Sequence, residues 1–189
     1  MERLDGDLVN LLQRRAAKRL DEREARGVFK MAVDIVAFLH SEGIVHRDLK
    51  LENFLVEWEG EGRAGVKDLK LTDFDSSDYT LREPFEYSCG SPPYSAPELC
   101  TTNPHFSGRI ADIWSLGVML YVLVCGTFPW HHPSLLTLFD MIRTRDLDLP
   151  PHLSPDLQHL LQNILQKAPS KRFTLQQILN HDWMVKYQS

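Results

Sequence analysis

Between His46 and Asn53 the chain reads HRDLKLEN, packing two cations, two carboxylates, an amide and an imidazole into eight residues. Asp48 can accept a proton from a hydroxyl, and Lys50, two residues on, can neutralise developing negative charge. Asn53 and a second carboxylate, Asp73, are hard oxygen donors of the kind that share Mg²⁺ with substrate phosphates. A base, a cation and two metal ligands form a set suited to phosphoryl transfer.

The apolar runs AFLHSEGIV before this stretch and FLV after it place it between a helix and a strand. Loop side chains held between rigid elements sit at a cleft edge. Upstream, Leu8, Leu11, Leu12 and Leu20 predict a first helix over residues 7–20 with a basic outer face. Asp21 followed by Glu24 reads as a capping box, opening a second helix with Val28, Ala32, Ile35, Val36 and Leu39 on its apolar face. Gly43 is its expected stop. NFLVEW and DLKLTDF read as two strands joined by the glycine-rich surface turn EGEGRAGVK. Pro84, Pro92, Pro93 and Pro97 mark an irregular loop over about 75–98, a length that in a compact domain is usually functional. The uncharged run Ile113–Trp130 has the length of a membrane span. Asp112 abuts it, Gly117 and Gly126 interrupt it and Pro129 lies near its end, so a buried core helix is the better assignment. Further helices are expected near 134–146, 154–166 and 174–186. The fold class is α+β, mainly helical, with one small β-hairpin.

The 189 residues suit one domain, and 43% hydrophobic with 25% charged residues is ordinary globular composition. A net charge of −5 supplies no global attraction for nucleic acid or an anionic membrane, so neither is expected as a partner. Cys89, Cys100 and Cys125 are an odd number without paired spacing, which favours a reducing, intracellular setting, cytoplasmic or nuclear, over a disulfide framework. The start, MERLDGDL, is charged at once and shows no signal peptide.

HRDLKLEN resembles the catalytic loop of eukaryotic protein kinases, His-Arg-Asp-Leu-x-x-x-Asn. DFD (73–75) is similar to the family's Asp-Phe-Gly, APE (96–98) to its Ala-Pro-Glu, and ADIWSLGVMLYVLVCGTFPW to its central buried helix. PSKRFTLQQILNHDW is similar to its closing segment. One such motif is weak evidence; five in register over nearly the whole chain are strong. The resemblance implies Asp48 as catalytic base, Lys50 as support for the transferring phosphate, and Asn53 with Asp73 as Mg²⁺ ligands. Asp112 would brace the catalytic loop, Arg172 would pair with Glu98, and His46 would pack near Phe74. For ATP it implies Leu55 under adenine, Glu2 and Leu4 at the hinge, and Asp7 and Glu52 near the ribose. Lys50 and CGSPPYSAPE resemble serine/threonine rather than tyrosine kinases, nearest the calmodulin-dependent and AMP-activated group. The implied partners are a protein substrate bearing Ser or Thr and an upstream kinase or regulator. Ser91 would bond Asp48 and Lys50 from the loop that seats the substrate.

Two departures from the family follow. The chain begins at what resembles the hinge, so residues 1–189 are expected to form the C-terminal lobe of a kinase domain, with no N-terminal lobe. Asp75 stands where the family has glycine, restricting the backbone. Three functions are then open: a serine/threonine kinase that is a poor catalyst as this chain alone, a noncatalytic pseudokinase-like interaction module, or a small-molecule phosphotransferase. CGSPPYSAPE, which resembles a platform for protein substrates, argues against the last. In similar kinases a threonine stands two residues before Cys89; here Tyr87 holds that place. The expectation is that Arg47 meets either a phosphate on Ser88 or the fixed charge of Glu86.

Overall fold

The computed structural model describes residues 6–60 and 65–186. Asp7 opens helix α1 (Leu8–Gln13) with a reciprocal cap: its carboxylate accepts from the Asn10 amide at 2.8 Å, and the Asn10 side chain accepts from the Asp7 amide at 3.1 Å. The helix expected over 7–20 stops at Gln13, and the chain unwinds through Lys18, whose φ of 49° is left-handed. Leu20 is nevertheless buried, because its amide donates to the Leu123 carbonyl at 2.8 Å and draws the strand of chain onto the core.

Helix α2 (Glu22–Ser41) begins as expected at Asp21, whose carboxylate accepts from the Glu24 amide at 2.8 Å. The Glu24 side chain does not complete a box; it pairs with Arg15 instead. Val28, Phe29, Ala32, Val33 and Val36 form the buried stripe. Gly43, at φ 75°, turns the chain out of the helix into strand β1 (Ile44–Val45). Strands β2 (Phe54–Glu59) and β3 (Gly65–Leu71) make the expected antiparallel hairpin, with a register shift between Glu57 and Trp58. A second antiparallel pair joins β1 to β4 (Asp78–Tyr79). Two-residue strands carry no periodicity, so nothing in the pattern announced it.

The apolar run at 113–130 is divided between a helix and a return. Helix α3 (Gly108–Cys125) ends at Gly126, where φ is 76°, and Trp130 folds back to stack on Trp114 with centroids 5.5 Å apart and planes 12° from parallel. It is the one helix among the described residues long and apolar enough to span a membrane, and 78% of its span lies inside the protein, as a core helix does. Around it stand α4 (Leu135–Thr144), α5 (Pro155–Ile164), α6 (Leu175–Leu179) and α7 (Asp182–Val185). The single closing helix expected over 174–186 breaks into α6 and α7, because His181 caps a new start by accepting from the Trp183 amide at 3.2 Å. Glu22, at the start of α2, accepts from the Ser154 amide and hydroxyl at 2.7 Å each and from the Trp183 indole at 2.8 Å. One carboxylate thus ties α2, α5 and α7 together. The three cysteines are free; burial pushes the Cys125 thiol up to about 11 and the Cys100 thiol up to about 12, which keeps both protonated.

At Gly117 α3 lies tightly against the end of α5: a β-carbon there would collide with Ile164 and Leu165. Alanine in a helix gains roughly 1 kcal/mol over glycine, whereas overpacking a core costs about 1–3 kcal/mol. Gly117→Ala is therefore expected to destabilise the domain by up to about 2 kcal/mol, seen as a lower urea midpoint at unchanged slope. A midpoint at or above wild type would show that α3 and α5 can part without cost.

Candidate active site

The residues of the loop 46–53 take their shape from a carboxylate on α3. Asp112 is 1% exposed. Its two oxygens accept from the amides of His46 at 2.9 Å and Arg47 at 2.8 Å, and from the His40 ring at 2.9 Å. Arg47 holds a left-handed φ of 66°, a conformation a non-glycine residue keeps only when its surroundings over-determine it. The two amide bonds to Asp112 supply that determination. His46 is fully buried; its Nδ1 accepts from the Asp48 amide at 3.3 Å, so Nε2–H donates to the Thr72 carbonyl at 3.1 Å. Its ring meets Phe74 edge-on at 5.1 Å.

Asp48 emerges from this frame with its two oxygens in different circumstances. Oδ2 accepts from Lys50 Nζ at 2.7 Å, while Oδ1 is buried without a hydrogen-bond partner. The Asp48 carbonyl accepts from the Asn53 amide nitrogen at 2.9 Å, which fixes Asn53 on the turn leading into β2. Lys50 also donates to Ser91 Oγ at 3.3 Å and lies 3.9 Å from the Asp73 carboxylate. Its ammonium is held above the ordinary lysine range, chiefly by the bond to Asp48. Ser91 therefore reaches Lys50, whereas no bond joins it to Asp48. Gly90, at φ 93°, sits directly on the loop: a β-carbon would come within 2.6 Å of the Arg47 carbonyl and 3.3 Å of Asp48 Oδ1. Gly90 was not singled out from the sequence, and only this close approach reveals its place.

The acidic group nearest Arg47 on the loop is Asp78 rather than Glu86. Its Nε donates to the Ser76 carbonyl at 2.7 Å, one terminal nitrogen donates to the Tyr87 hydroxyl at 3.1 Å and lies 3.7 Å from Asp78, and the other is buried without a partner. The guanidinium lies 4.3 Å from the Phe85 ring centre and 5.0 Å from that of Tyr87. Neither Glu86 nor Ser88 is among these contacts. Ser88 turns its hydroxyl to the Leu99 carbonyl at 2.8 Å, and Glu86 is exposed. A cation with a neighbouring carboxylate and two aromatic faces has its charge answered without either of them.

Asp73 has a left-handed φ of 64° and a carboxylate 41% exposed. Asp75 is exposed and is not among the described residues with positive φ, so its β-carbon introduces no strain in place of glycine. Leu55 and Asp7 come together in a backbone bridge, but the Asp7 carboxylate is committed to the α1 cap. Glu52 is exposed on the turn beside Lys50. Glu2 and Leu4 lie outside the described residues. On the other side of the loop, Arg172 grips Glu98 with two bonds of 2.8 and 3.0 Å and stands 5.0 Å over the Trp114 ring.

Removing the Asp112 carboxylate would leave two buried amides unpaired, each worth about 1–3 kcal/mol. Asp112→Ala is expected to cost about 3–5 kcal/mol in urea unfolding. A loss below about 1 kcal/mol would mean that the loop holds its shape by other contacts.

A family model described as the protein kinase domain matches residues 1–184. Tribbles homolog 2 of Bos taurus is 40% identical over 185 residues, covering 96% of this chain and 52% of that protein. Serine/threonine-protein kinase SIK1 of Rattus norvegicus is 42% identical over 166 residues, 87% of this chain and 20% of that protein. Maternal embryonic leucine zipper kinase of Xenopus laevis is 39% identical over 177 residues, 90% and 25% respectively. The chain thus spans about half the length of the Tribbles relatives and a fifth to a quarter of the kinases. A match over residues 1–184, with relatives about 40% identical over most of the chain, settles the family: the chain belongs to the protein kinase domain family.

Proposed function

We propose that this chain is the C-terminal lobe of a serine/threonine protein kinase, carrying the catalytic base and the protein-substrate platform and a poor catalyst by itself. The observation that supports it best is the unpartnered, buried Oδ1 of Asp48, beside an Oδ2 already held by Lys50. A buried carboxylate oxygen is costly unless a donor fills the place, and a substrate hydroxyl is such a donor. In this reading a serine or threonine hydroxyl gives its proton to Asp48 as its oxygen bonds the γ-phosphorus of ATP and ADP leaves. Lys50 steadies the charge on the transferring group, and Ser91 holds Lys50 in line.

Protein kinases use ATP with Mg²⁺. The donors present fit that ion: the Asn53 nitrogen is bound to the Asp48 carbonyl, its oxygen accepts from no donor among the described residues, and Asp73 presents a half-exposed carboxylate. Among the described residues no cluster of three or more His, Cys, Asp or Glu could hold a metal, so phosphate and water would complete the shell. Bound there, Mg²⁺ would screen the negative charge of the phosphates. A cytoplasmic location belongs to the same proposal.

A noncatalytic interaction module is the second reading, favoured by Asp7: a residue expected near the ribose spends its carboxylate on a helix cap. The two part on one experiment. Residues 1–189 with ATP, Mg²⁺ and a basic peptide are expected to transfer no phosphate above background. Fused behind the N-terminal lobe of a serine/threonine relative, the chain is expected to label serine or threonine. Asp48→Asn and Asp73→Asn should each lower the rate by about 10²–10⁴-fold with the fold intact. No transfer by the fusion would favour the interaction module, and labelling confined to tyrosine would overturn the subclass.

A further inference from the structure

Away from the catalytic loop, two histidines meet in an arrangement that dictates where their protons are. The amide of Trp183 donates to His181 Nδ1 at 3.2 Å. A backbone amide can only donate, so this nitrogen carries no proton, and the neutral ring has its proton on Nε2. Nε2 lies 2.8 Å from His159 Nδ1. The ring centres are 5.1 Å apart and the planes 18° from parallel. The centroid separation is about the nitrogen gap plus two ring radii, so the rings meet edge to edge and the N–H points straight at its acceptor. His159 Nδ1 must therefore also be bare. Both rings are neutral Nε2–H tautomers, and each proton added at an Nδ1 breaks a bond: at His181 the cap of α7, at His159 the bond between the rings.

The charged groups around the pair do not favour protonation. Asp156 on α5 and Asp182 on α7 are the nearest carboxylates, and Lys186 Nζ holds both, at 2.9 and 3.0 Å. From α6 come only the neutral Gln176, Gln177 and Asn180 at the edge of the same cavity, and from the loop before it Phe173, whose ring is 6.3 Å from His159 and 6.2 Å from His181. From α2, Arg26 donates to the Trp183 carbonyl and Glu22 accepts from its indole. Burial and the neighbouring His159 ring hold His181 below the ordinary histidine range. What the cap holds is substantial: α7 carries Trp183, fully buried and packed at 6.4 Å on Phe29 of α2.

We propose that His159 and His181 form an acid-released latch, which keeps α7 and Trp183 seated at neutral pH and lets them go when the rings take up protons. The sign follows from proton uptake: the opened state binds protons that the closed state refuses, so closure is complete above the free-histidine value of about 6.5 and weakens below it. Residues 1–189 are tested by hydrogen exchange at the amides of 183–186, expressed as protection factors, between pH 7.5 and 5.5. Protection is expected to fall about tenfold if one ring titrates only on opening and about a hundredfold if both do. In His181→Asn, whose side chain still caps but does not titrate, the fall should be smaller than in wild type. Nitrogen-15 shifts of the wild-type rings should report the Nε2–H tautomer for both at pH 7.5. A change in protection under twofold, an undiminished fall in His181→Asn, or an Nδ1–H tautomer in either ring would overturn the latch.

Discussion

One buried carboxylate holds the site in shape. Asp112 sits on the central helix, almost wholly out of water, and its cost of desolvation is met by the amides of His46 and Arg47 and by the His40 ring. Those bonds hold Arg47 in a left-handed conformation, and that reversal turns Asp48 outward while His46 points back to Thr72 and Phe74. The loop is polar because its backbone is bound to a charge. α3 can host that charge because it is otherwise packed on all sides, and α2 supplies His40 from its last turn.

The charges around the loop are answered locally. Lys50 lies between Asp48 and Asp73 and touches Ser91, so two carboxylates and a cation form one cluster. Arg47 is enclosed by Phe85 and Tyr87, with Asp78 close by. Two polar atoms stay outside this balance, one oxygen of Asp48 and one terminal nitrogen of Arg47.

The platform beside the loop is fastened through aromatic rings. Trp114 and Trp130 stack, Arg172 lies over the outer face of one, and Lys167 lies 3.7 Å from the other. Arg172 at the same time clasps Glu98, so the APE segment is tied to the core helix by a cation that is both paired and stacked. Gly90 then lets the segment bearing Tyr87 lie directly on the Arg47 carbonyl. Any side chain larger than hydrogen would lift the segment from the loop.

Much of this was legible in the order of residues. Leucines and valines at three and four placed α2, an unbroken apolar run marked the central helix, and alternating hydrophobics flanking a glycine-rich turn marked the hairpin, because each is a local pattern that a period reports. The motif His-Arg-Asp with Asn53 and Asp73 pointed to the kinase family, since phosphoryl transfer needs side chains of those kinds. What no local pattern carried were the contacts between distant segments. Leu20 is buried by a carbonyl in α3, Glu24 leaves its box for Arg15, and the last helix breaks where His181 finds a better use for its ring. The choice of Tyr87 and Asp78, rather than Ser88 or Glu86, as neighbours of Arg47 is of the same kind. Sequence alone determined which side chains were available and which stretches could coil or pair; tertiary structure decided which of them meet, because hydrogen bonds and ring contacts act over a few ångströms in space and take no account of separation along the chain.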